Sequence, residues 1–358
     1  MPECDADNNE MDALHGLVVL NSLRRLNTGA SRPIKLVYPY LHAFNVHLHY
    51  SAARSLLHFL HSLTSCGRIR YDFVVFNGLS SLSHRSLFGP TLARALLAVN
   101  VPVFIYWHET DWVLDRHRQE HPASARTVRE IGNHPSVTHL TVSKAGASSV
   151  SDQFPGATAT VVHNCTTISA PFDQPVRPSS PPYVINLASI QERKGTDLFV
   201  ETAIRVCNQH PSVEFIWLGD GEPYGTWRED VRKSGLEHRI LFPGYVDSAY
   251  LLLRRASVFF LSSRDDPFPL SNLEAMCLGR TIVTFDVGGA PEALGGHGTV
   301  IAPFDTQASA EAISNHLRRP PEQLVDEAVR QRYLRLYTPE KFAARLNRCI
   351  RERVFDGQ

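Results

Sequence analysis

The sequence predicts an α/β protein made of two domains, each an open parallel sheet covered by helices. Three observations support this prediction. The chain has 358 residues, more than one hydrophobic core usually serves. Short apolar runs alternate with segments of helical periodicity in both halves of the chain. Residues 171–182 are rich in proline and have neither period, as is typical of an interdomain linker.

The first predicted domain comprises residues 1–170. Its apolar runs are continuous rather than alternating, which is typical of strands in a parallel sheet that is buried on both faces. Between these runs, apolar side chains recur at helical spacing. The predicted elements are strands at 16–23, 34–41, 71–79, 101–110, 136–142 and 157–164, with helices at 51–63, 87–100 and 143–154.

The second predicted domain comprises residues 183–336, where strands and helices alternate more regularly. Residues 337–358 form a basic helical segment, which we expect to pack back towards the N-terminal domain. The predicted elements of the second domain are strands at 183–190, 213–221, 239–246, 258–264 and 281–287, with helices at 197–209, 224–235, 250–256 and 270–279.

Composition narrows the classes of partner and compartment. The 36 Lys and Arg residues balance the 36 Asp and Glu residues, so no net charge attracts nucleic acid. The six cysteines are scattered without a C-x-x-C pair, as is typical of reduced thiols in a cytosolic chain. The sequence has neither a signal-peptide pattern nor an apolar run of about 18 residues, so we expect a cytoplasmic protein.

The loops that follow strands of the second domain carry the candidate ligand residues, because open α/β sheets bind ligands at the carboxyl ends of their strands. Arg193 and Lys194 stand beside Gly195 after the first of these strands. Two cations suit a diphosphate, since each can form charge-assisted hydrogen bonds to its oxygens. A solvated pair of cations in a loop is the alternative interpretation.

Two further loops contain glycines that would let a ligand approach the backbone. They lie at the carboxyl ends of the predicted strands, in GDGEPYG after VEFIWL and in PGYVDS at 243–248, and plain turns would explain them equally well. The candidate residues are Gly219, Asp220, Gly244, Tyr245 and Val246.

The most informative stretch is DDPFPLSNLEAM, at residues 265–276. Asp266 precedes a helix predicted to begin near Ser271, and Glu274 lies about one turn inside it, so both carboxylates can face one crevice. Glu274 is suited to the hydroxyls of a ribose. Acids that only favour the helix dipole are the alternative. The backbone amides expected to bind an anion there are those of Phe268, Leu270, Ser271 and Asn272.

Taken in order, the motifs ERKG, LGDG, FPGYV, DDPFPLSNLEA and VGGAPE resemble the donor domain of the family 4 retaining glycosyltransferases of GT-B fold, over roughly residues 183–305. The most specific element is the family's Glu-x7-Glu pattern, with Asp266 in its first position and Glu274 in its second. The resemblance implies two facing Rossmann-like domains. It also implies a sugar nucleotide bound mainly by the C-terminal domain, an acceptor bound mainly by the N-terminal one, and no metal or other cofactor.

The resemblance also implies roles for individual residues. Glu274 would hold the nucleotide ribose and Asp266 would meet the donor sugar, while Arg193 and Lys194 would neutralise the leaving phosphate. Ser189 stands where the family often has an arginine, and Asp266 is one methylene shorter than the usual glutamate. Both departures bear on which donor sugar is used.

The N-terminal half resembles the family more weakly. Its strand at 101–110 ends in His108 and Glu109, which matches the family's strand ending in His plus an acid. By that match His108 would reach the cleft near the donor sugar, with Glu109 beside it, although a histidine satisfied at a strand end is the alternative. Gly29 is the nearest candidate for the family's glycine-rich turn.

Other clusters in the N-terminal half carry less weight. The histidines at 42, 47, 49, 58 and 61 are dense, but no acid or cysteine joins them, so no metal site is expected. Arg24, Arg25, Arg32 and Lys35 could contact an anionic membrane at its inner face, or could form a solvated basic surface.

The resemblance implies a retaining enzyme that transfers a sugar from a nucleoside diphosphate sugar to a hydroxyl of a glycan or lipid-linked acceptor, in cell-surface polysaccharide or glycolipid synthesis. Two alternatives stay open at this point. One is a sugar-nucleotide epimerase on the same fold, and the other is a non-catalytic protein that binds a sugar nucleotide.

Overall fold

The chain folds into two compact units, which are Met1–Cys165 together with Pro339–Gln358, and Thr166–Thr338. Each unit has one six-stranded sheet in which all paired strands are parallel. The predicted α/β class is therefore confirmed. The computed structural model describes residues 13–20, 32–52, 71–166, 175–222 and 224–355.

The sheet of the first unit has the strand order β2-β1-β3-β4-β5-β6. Its strands are β1 (Leu14–Leu20), β2 (Val46–Ala52), β3 (Phe73–Asn77), β4 (Val103–Trp107), β5 (Val137–Thr141) and β6 (Ala159–Val161). Its helices are α1 (Arg32–His42), α2 (Gly89–Ala98), α3 (Asp111–Glu120), α4 (Pro122–Gly132), α5 (Lys144–Gln153) and the C-terminal helix Pro339–Phe355.

The C-terminal helix is separated in sequence from the rest of the first unit and packs against α1. Arg351 on this helix donates a 2.8 Å hydrogen bond to the carbonyl oxygen of Phe44, and the ring of Phe342 lies 6.2 Å from that of Tyr106 in β4. The first unit therefore ends at Cys165 and resumes at Pro339.

The predicted strand at 34–41 is wrong, because this segment is helix α1. Ile34, Val37 and Leu41 are buried at intervals of three and four residues, which places them on one helical face. A short apolar run fits a buried helix as well as a strand. On the side of β1 opposite β3, the paired strand is instead β2, which is not among the predicted strands. The predicted helix at 51–63 lies mostly outside the described residues, as does Gly29.

The sheet of the second unit has the order β12-β11-β10-β7-β8-β9. The chain builds outward from β7 in one direction and then returns to add β10 on the other side, so the switch point of the sheet lies between β7 and β10. Its strands are β7 (Tyr183–Leu187), β8 (Glu214–Leu218), β9 (Ile240–Gly244), β10 (Val258–Leu261), β11 (Ile282–Phe285) and β12 (Thr299–Ile301). Its helices are α6 (Thr196–Gln209), α7 (Trp227–Ser234), α8 (Ala249–Leu253), α9 (Leu270–Cys277), α10 (Ala290–Leu294), α11 (Thr306–Leu317) and α12 (Glu327–Leu336).

Aromatic packing fixes helix α6 on the centre of this sheet. Phe199 is fully buried, and its ring lies 5.3 Å from Trp217 in β8 and 6.1 Å from Phe260 in β10. Because α6 begins directly after the loop that carries Arg193 and Lys194, this packing also anchors the end of that loop. In the part of the chain that the structure describes, no helix is long and apolar enough to cross a membrane.

The loops that follow β7 and β10 touch through their backbones at Gly195. This residue has a φ of 68°, and a Cβ there would lie 2.0 Å from the carbonyl oxygen of Ser262. A side chain would need both a left-handed backbone and room that Ser262 occupies. Glycine is therefore required for the two loops to meet at the switch point.

The variant Gly195→Ala tests this requirement, and Gly235→Ala is a matched control. Gly235 has the same φ of 68°, but a Cβ there would have nothing within 4 Å. We expect Gly235→Ala to lower the free energy of unfolding by about 1 kcal/mol, through its backbone alone. Gly195→Ala should lower it by about 3 kcal/mol, since the clash adds to that strain. Urea unfolding measures both, and equal midpoints would contradict the proposed contact.

Candidate functional site

The switch point of the second sheet brings together the loop after β7, which contains Arg193 and Lys194, and the loop after β10, which contains Asp266. The amide of Asn186, in β7, donates a 3.2 Å hydrogen bond to the hydroxyl of Ser262. That hydroxyl in turn donates to the carbonyl oxygen of Lys194 at 3.3 Å. Hydrogen bonds through Ser262 thus connect two loops that lie far apart in sequence.

Lys194 and Asp266 form an ion pair between the two loops. Their side chains are 14% and 11% exposed, so the pair is largely removed from water. Burial lowers the pKa of the Lys194 amine from its usual value of 10.5, and the Asp266 carboxylate opposes that shift. The sequence predicted both residues for a ligand site, but it did not predict that they contact each other.

Arg193 is held to the same loop through its side chain and its backbone. Its guanidinium Nη1 donates a 2.9 Å hydrogen bond to the carbonyl oxygen of Asp265. Its own carbonyl oxygen accepts from the backbone amides of Arg264, at 2.8 Å, and Asp265, at 3.2 Å. The second cation therefore has a defined place beside the Lys194–Asp266 pair.

Helix α9 begins at Leu270, where the predicted helix at 270–279 also begins, and Pro269 is its N-cap residue without a side-chain cap. Glu274 is half-buried one turn inside the helix, as are Leu270 and Ser271 at its beginning. The side chain of Asn272 is fully buried, and its Oδ1 accepts no hydrogen bond among the described residues.

The backbone of Phe268 lies in the loop before α9, whereas its ring is buried. The ring is 2% exposed and lies 5.5 Å from that of Tyr337, in an edge contact within the core of the second unit. The predicted role of Phe268 was that of its backbone amide, and the buried ring holds that amide in place.

A double glycine supports the loop of Asp266 from the neighbouring strand connection. A Cβ on Gly288 would lie 2.0 Å from the carbonyl oxygen of Asp266, and one on Gly289 would lie 2.1 Å from that of Pro267. The amide of Gly289 donates a 3.0 Å hydrogen bond to the Asp266 carbonyl. From the sequence, these glycines were identified only as turn residues, because the residue that each one contacts lies 22 positions earlier in the chain.

The glycines at the carboxyl ends of β8 and β9 are explained by contacts within the protein. The amide of Gly219 donates to the carbonyl oxygen of Gly244 at 2.9 Å, and a Cβ on Gly219 would lie 2.1 Å from the carbonyl oxygen of Ala188. Asp220 and Tyr245 are exposed, and Val246 is half-buried. These residues lie at the same carboxyl edge of the sheet as Arg193, on the opposite side of β7 from Asp266.

In the first unit, His108 follows β4 and lies beside the end of β3. Its Nε2 is 3.0 Å from the side-chain oxygen of Asn77, and its ring is 4.4 Å from that of Tyr106. Burial lowers the pKa of His108 from 6.5 to about 3. The imidazole is therefore neutral near pH 7, and with the Asn77 oxygen as acceptor it carries its proton on Nε2.

Glu109 braces the turn after β3. One carboxylate oxygen accepts from the amide of Leu79 at 3.0 Å, and the other accepts from the amide of His108 at 2.9 Å. Gly78, with a φ of 77°, passes so close that a Cβ there would lie 2.9 Å from the same carboxylate. Sequence reasoning missed this structural contact, whose partners lie 30 residues apart.

The histidines of β1 and β2 pack on one another. His15 stacks on His47 with ring centres 5.1 Å apart and on His49 at 5.8 Å, so His47 and His49 share a strand face. Burial, together with the neighbouring histidines, lowers the pKa of His47. Across the described ranges, no group of three or more His, Cys, Asp or Glu side chains is arranged to hold a metal ion.

The low pKa of His108 predicts a pH dependence of stability. Because the unfolded chain binds the proton more tightly, stability falls as the pH decreases from about 6.5 towards 3. Between about pH 7 and about pH 5, wild type should lose up to about 2 kcal/mol more than His108→Gln. Urea unfolding at both pH values measures this difference, with the exposed His238→Gln as control. Equal losses in wild type and His108→Gln would contradict the low pKa.

The Lys194–Asp266 pair predicts how the stability of a variant depends on alkaline pH. Asp266→Asn leaves a buried ammonium without its counterion, so we expect a loss of about 3 kcal/mol at neutral pH. The amine of the variant should have a still lower pKa, and stability should recover as the pH rises towards 10.5. The double variant Lys194→Met/Asp266→Asn should lack this recovery. Urea unfolding across alkaline pH tests the prediction, and identical curves for the two variants would refute it.

Comparison with known proteins agrees with this topology. HepE of Anabaena, solved in complex with UDP and glucose, superposes with a TM-score of 0.72 and 16% identity, over 94% of this chain and 99% of that protein. The two parallel six-stranded sheets match the fold of this neighbour, so the predicted GT-B fold is confirmed.

Curated sequence relatives match part of the chain. A phosphatidylinositol N-acetylglucosaminyltransferase subunit from Arabidopsis thaliana is 32% identical over 173 residues, which are 48% of this chain and 38% of that protein. The lipopolysaccharide core biosynthesis mannosyltransferase LpcC of Rhizobium leguminosarum bv. viciae is 32% identical over 143 residues, or 37% and 39%. The chain thus spans about two fifths of the length of these curated relatives.

A family model described as Glycosyl transferases group 1 matches residues 181–319. This segment lies within the second unit and contains both loops of the switch point, with Arg193, Lys194, Asp266 and Glu274. Over residues 181–319, the chain is therefore similar to the glycosyl transferases group 1 family.

Proposed function

We propose that this protein is a retaining glycosyltransferase that moves a sugar from a nucleoside diphosphate sugar to a hydroxyl of an acceptor. One observation carries the proposal. At the switch point of a glycosyl transferases group 1 domain, Lys194 and Arg193 lie beside the Asp266 carboxylate, in the loops where this fold class binds ligands. Two cations and an acid at one point suit a diphosphate joined to a sugar.

In this proposal the cations act on the leaving group. As the bond between the sugar and the phosphate breaks, negative charge grows on the diphosphate, and fixed positive groups stabilise that charge. Lys194 and Arg193 supply two such groups, and the amides at the start of α9 supply further donors. Arg193 thereby stands in for the arginine that Ser189 replaces.

The donor would exchange the internal ion pair for ligand contacts. The diphosphate attracts Lys194, while sugar hydroxyls donate to the Asp266 carboxylate that Lys194 leaves. Glu274 accepts from the ribose hydroxyls, and the backbone near Gly219, Gly244 and Tyr245 faces the base. Each charged group of the site therefore keeps a partner before and after binding.

The proposed reaction uses neither a protein nucleophile nor a bound metal. The acceptor hydroxyl attacks from the face that the diphosphate leaves and passes its proton to that phosphate. His108, neutral near pH 7 with its proton on Nε2, would accept a hydrogen bond from a hydroxyl of the donor sugar at Nδ1 rather than carry a charge. Glu109 keeps His108 and the turn after β3 in place.

The acceptor is proposed to be a glycan or a lipid-linked sugar, and the process to be cell-surface polysaccharide or glycolipid synthesis at the cytoplasmic face of a membrane. The names of two relatives support this, since one refers to phosphatidylinositol and the other to the lipopolysaccharide core. UDP sugars are the first donors to test, because HepE was solved with UDP and glucose.

The decisive experiment measures donor binding by thermal shift and donor turnover by nucleotide release. Glu274→Ala should weaken UDP binding by about tenfold, because it removes a charged hydrogen-bond partner. Asp266→Asn should retain UDP binding but lower turnover by about 100-fold, since it acts on the sugar. Glu229→Ala, which changes an exposed acid of the same unit, is the control.

The outcomes separate the competing functions. Full transferase activity in both site variants would overturn the residue assignment. Release of an epimerised sugar nucleotide without acceptor would favour an epimerase. Binding of UDP sugars without any turnover in wild type would favour a non-catalytic binding protein.

A further inference from the structure

A second ion pair lies next to Lys194 and Asp266, and no role in ligand binding accounts for it. Two guanidinium nitrogens of Arg264 contact the two carboxylate oxygens of Asp197, at 2.7 and 2.5 Å. Nη1 of Arg264 also donates to the carbonyl oxygen of Glu192 at 3.1 Å. The planar guanidinium of Arg264 thus binds the carboxylate of Asp197 and the backbone carbonyl of Glu192.

Tyr224 completes this arrangement from a third loop. Its hydroxyl donates to Oδ1 of Asp197 at 2.9 Å and accepts from the backbone amide of Thr196 at 2.8 Å. Arg264 follows β10, Asp197 lies in the first turn of α6 and Tyr224 follows β8. The three side chains therefore join the connections after three neighbouring strands.

These contacts hold both ends of the segment that contains Arg193 and Lys194. Arg264 binds the carbonyl of Glu192, directly before Arg193, and Tyr224 binds the amide of Thr196, directly after Gly195. Between those ends the same loop of Arg264 binds the backbone of Arg193. Segment 192–196 is consequently held at its beginning, its middle and its end.

The pair is charged and partly shielded from water. The side chains of Arg264 and Asp197 are 20% and 36% exposed. Burial raises the pKa of Asp197, but hydrogen bonds from Arg264 and Tyr224 outweigh burial, so its pKa lies below the usual value. Bidentate geometry and partial shielding distinguish this pair from ordinary surface salt bridges.

We propose that Arg264, Asp197 and Tyr224 are positioning residues that hold Lys194 and Arg193 where the diphosphate of the donor binds. They act through segment 192–196 and do not contact the donor. The importance of this role for catalysis rests on the proposed function. The geometric part, that these side chains keep the Lys194 amine against Asp266, can be tested without any donor.

The geometric test compares the reactivity of lysines towards acetic anhydride, followed by peptide mapping. The chain's other lysines, Lys35, Lys144, Lys233 and Lys341, are exposed and serve as internal references. In wild type, Lys194 should react slowest, because its amine is buried and paired. In Arg264→Lys and in Tyr224→Phe, its rate relative to the references should rise about tenfold, as expected when one hydrogen bond to a charged group is lost.

A matched control is available on helix α7. Arg232 contacts both carboxylate oxygens of Glu229, at 2.8 and 2.6 Å, on the surface of the same unit. Arg232→Lys makes the same chemical change away from segment 192–196, so Lys194 reactivity should stay at the wild-type value. If Arg264→Lys fails to fold, Tyr224→Phe decides, because it removes one oxygen atom.

Unchanged Lys194 reactivity in folded Tyr224→Phe and Arg264→Lys overturns the proposal, and so does an equal rise at all lysines. The catalytic part is tested by kcat/KM for a UDP sugar, which should fall about tenfold in both variants and stay unchanged in Arg232→Lys. Full kcat/KM in variants with released Lys194 overturns the catalytic part alone. If wild type binds and turns over no sugar nucleotide, the proposed function fails, and the labelling result still decides whether these residues position Lys194.

Discussion

The ion pair between Lys194 and Asp266 is the interaction on which the second unit depends. Two charges that are largely withdrawn from water are stable only when their geometry is well defined and their remaining hydrogen-bonding groups are satisfied. The surrounding loops meet this requirement: Gly195 and Gly288 let backbones approach where any side chain would clash. Arg193, Arg264 and Ser262 then bind carbonyl groups across the same junction.

This arrangement connects packing to electrostatics. Phe199 fixes α6 on the sheet, and α6 fixes the end of the loop that carries the cations. The buried ring of Phe268 fixes the loop that carries Asp266. Positive charge is thereby placed at the switch point in advance, so a bound diphosphate would need only the Lys194 side chain to turn from Asp266 towards the ligand. In the first unit, hydrogen bonds to the backbone also position a candidate side chain. Glu109 accepts hydrogen bonds from two backbone amides and holds His108 at the end of β4.

Sequence reasoning succeeded where local pattern and chemistry coincide. Regular alternation predicted the parallel sheet of the second unit, and motif order predicted the residues that gather after β7 and β10. It failed at residues 34–41, where eight mostly apolar residues fit a buried helix or a strand equally well. It also did not identify the residues that contact Glu109 and Gly288, because each of those residues comes from a distant part of the chain.

The amino-acid sequence by itself determined the fold class, the resemblance of the second unit to the group 1 glycosyl transferases and the identity of its candidate charged residues, because these depend on periodicity and on the order of motifs. Only the tertiary structure decided how those residues are used. Lys194 and Asp266 are 72 residues apart, and Asp197 and Arg264 are 67 apart. Their contacts arise because the sheet places β10 beside β7, and no local pattern encodes which loops then meet.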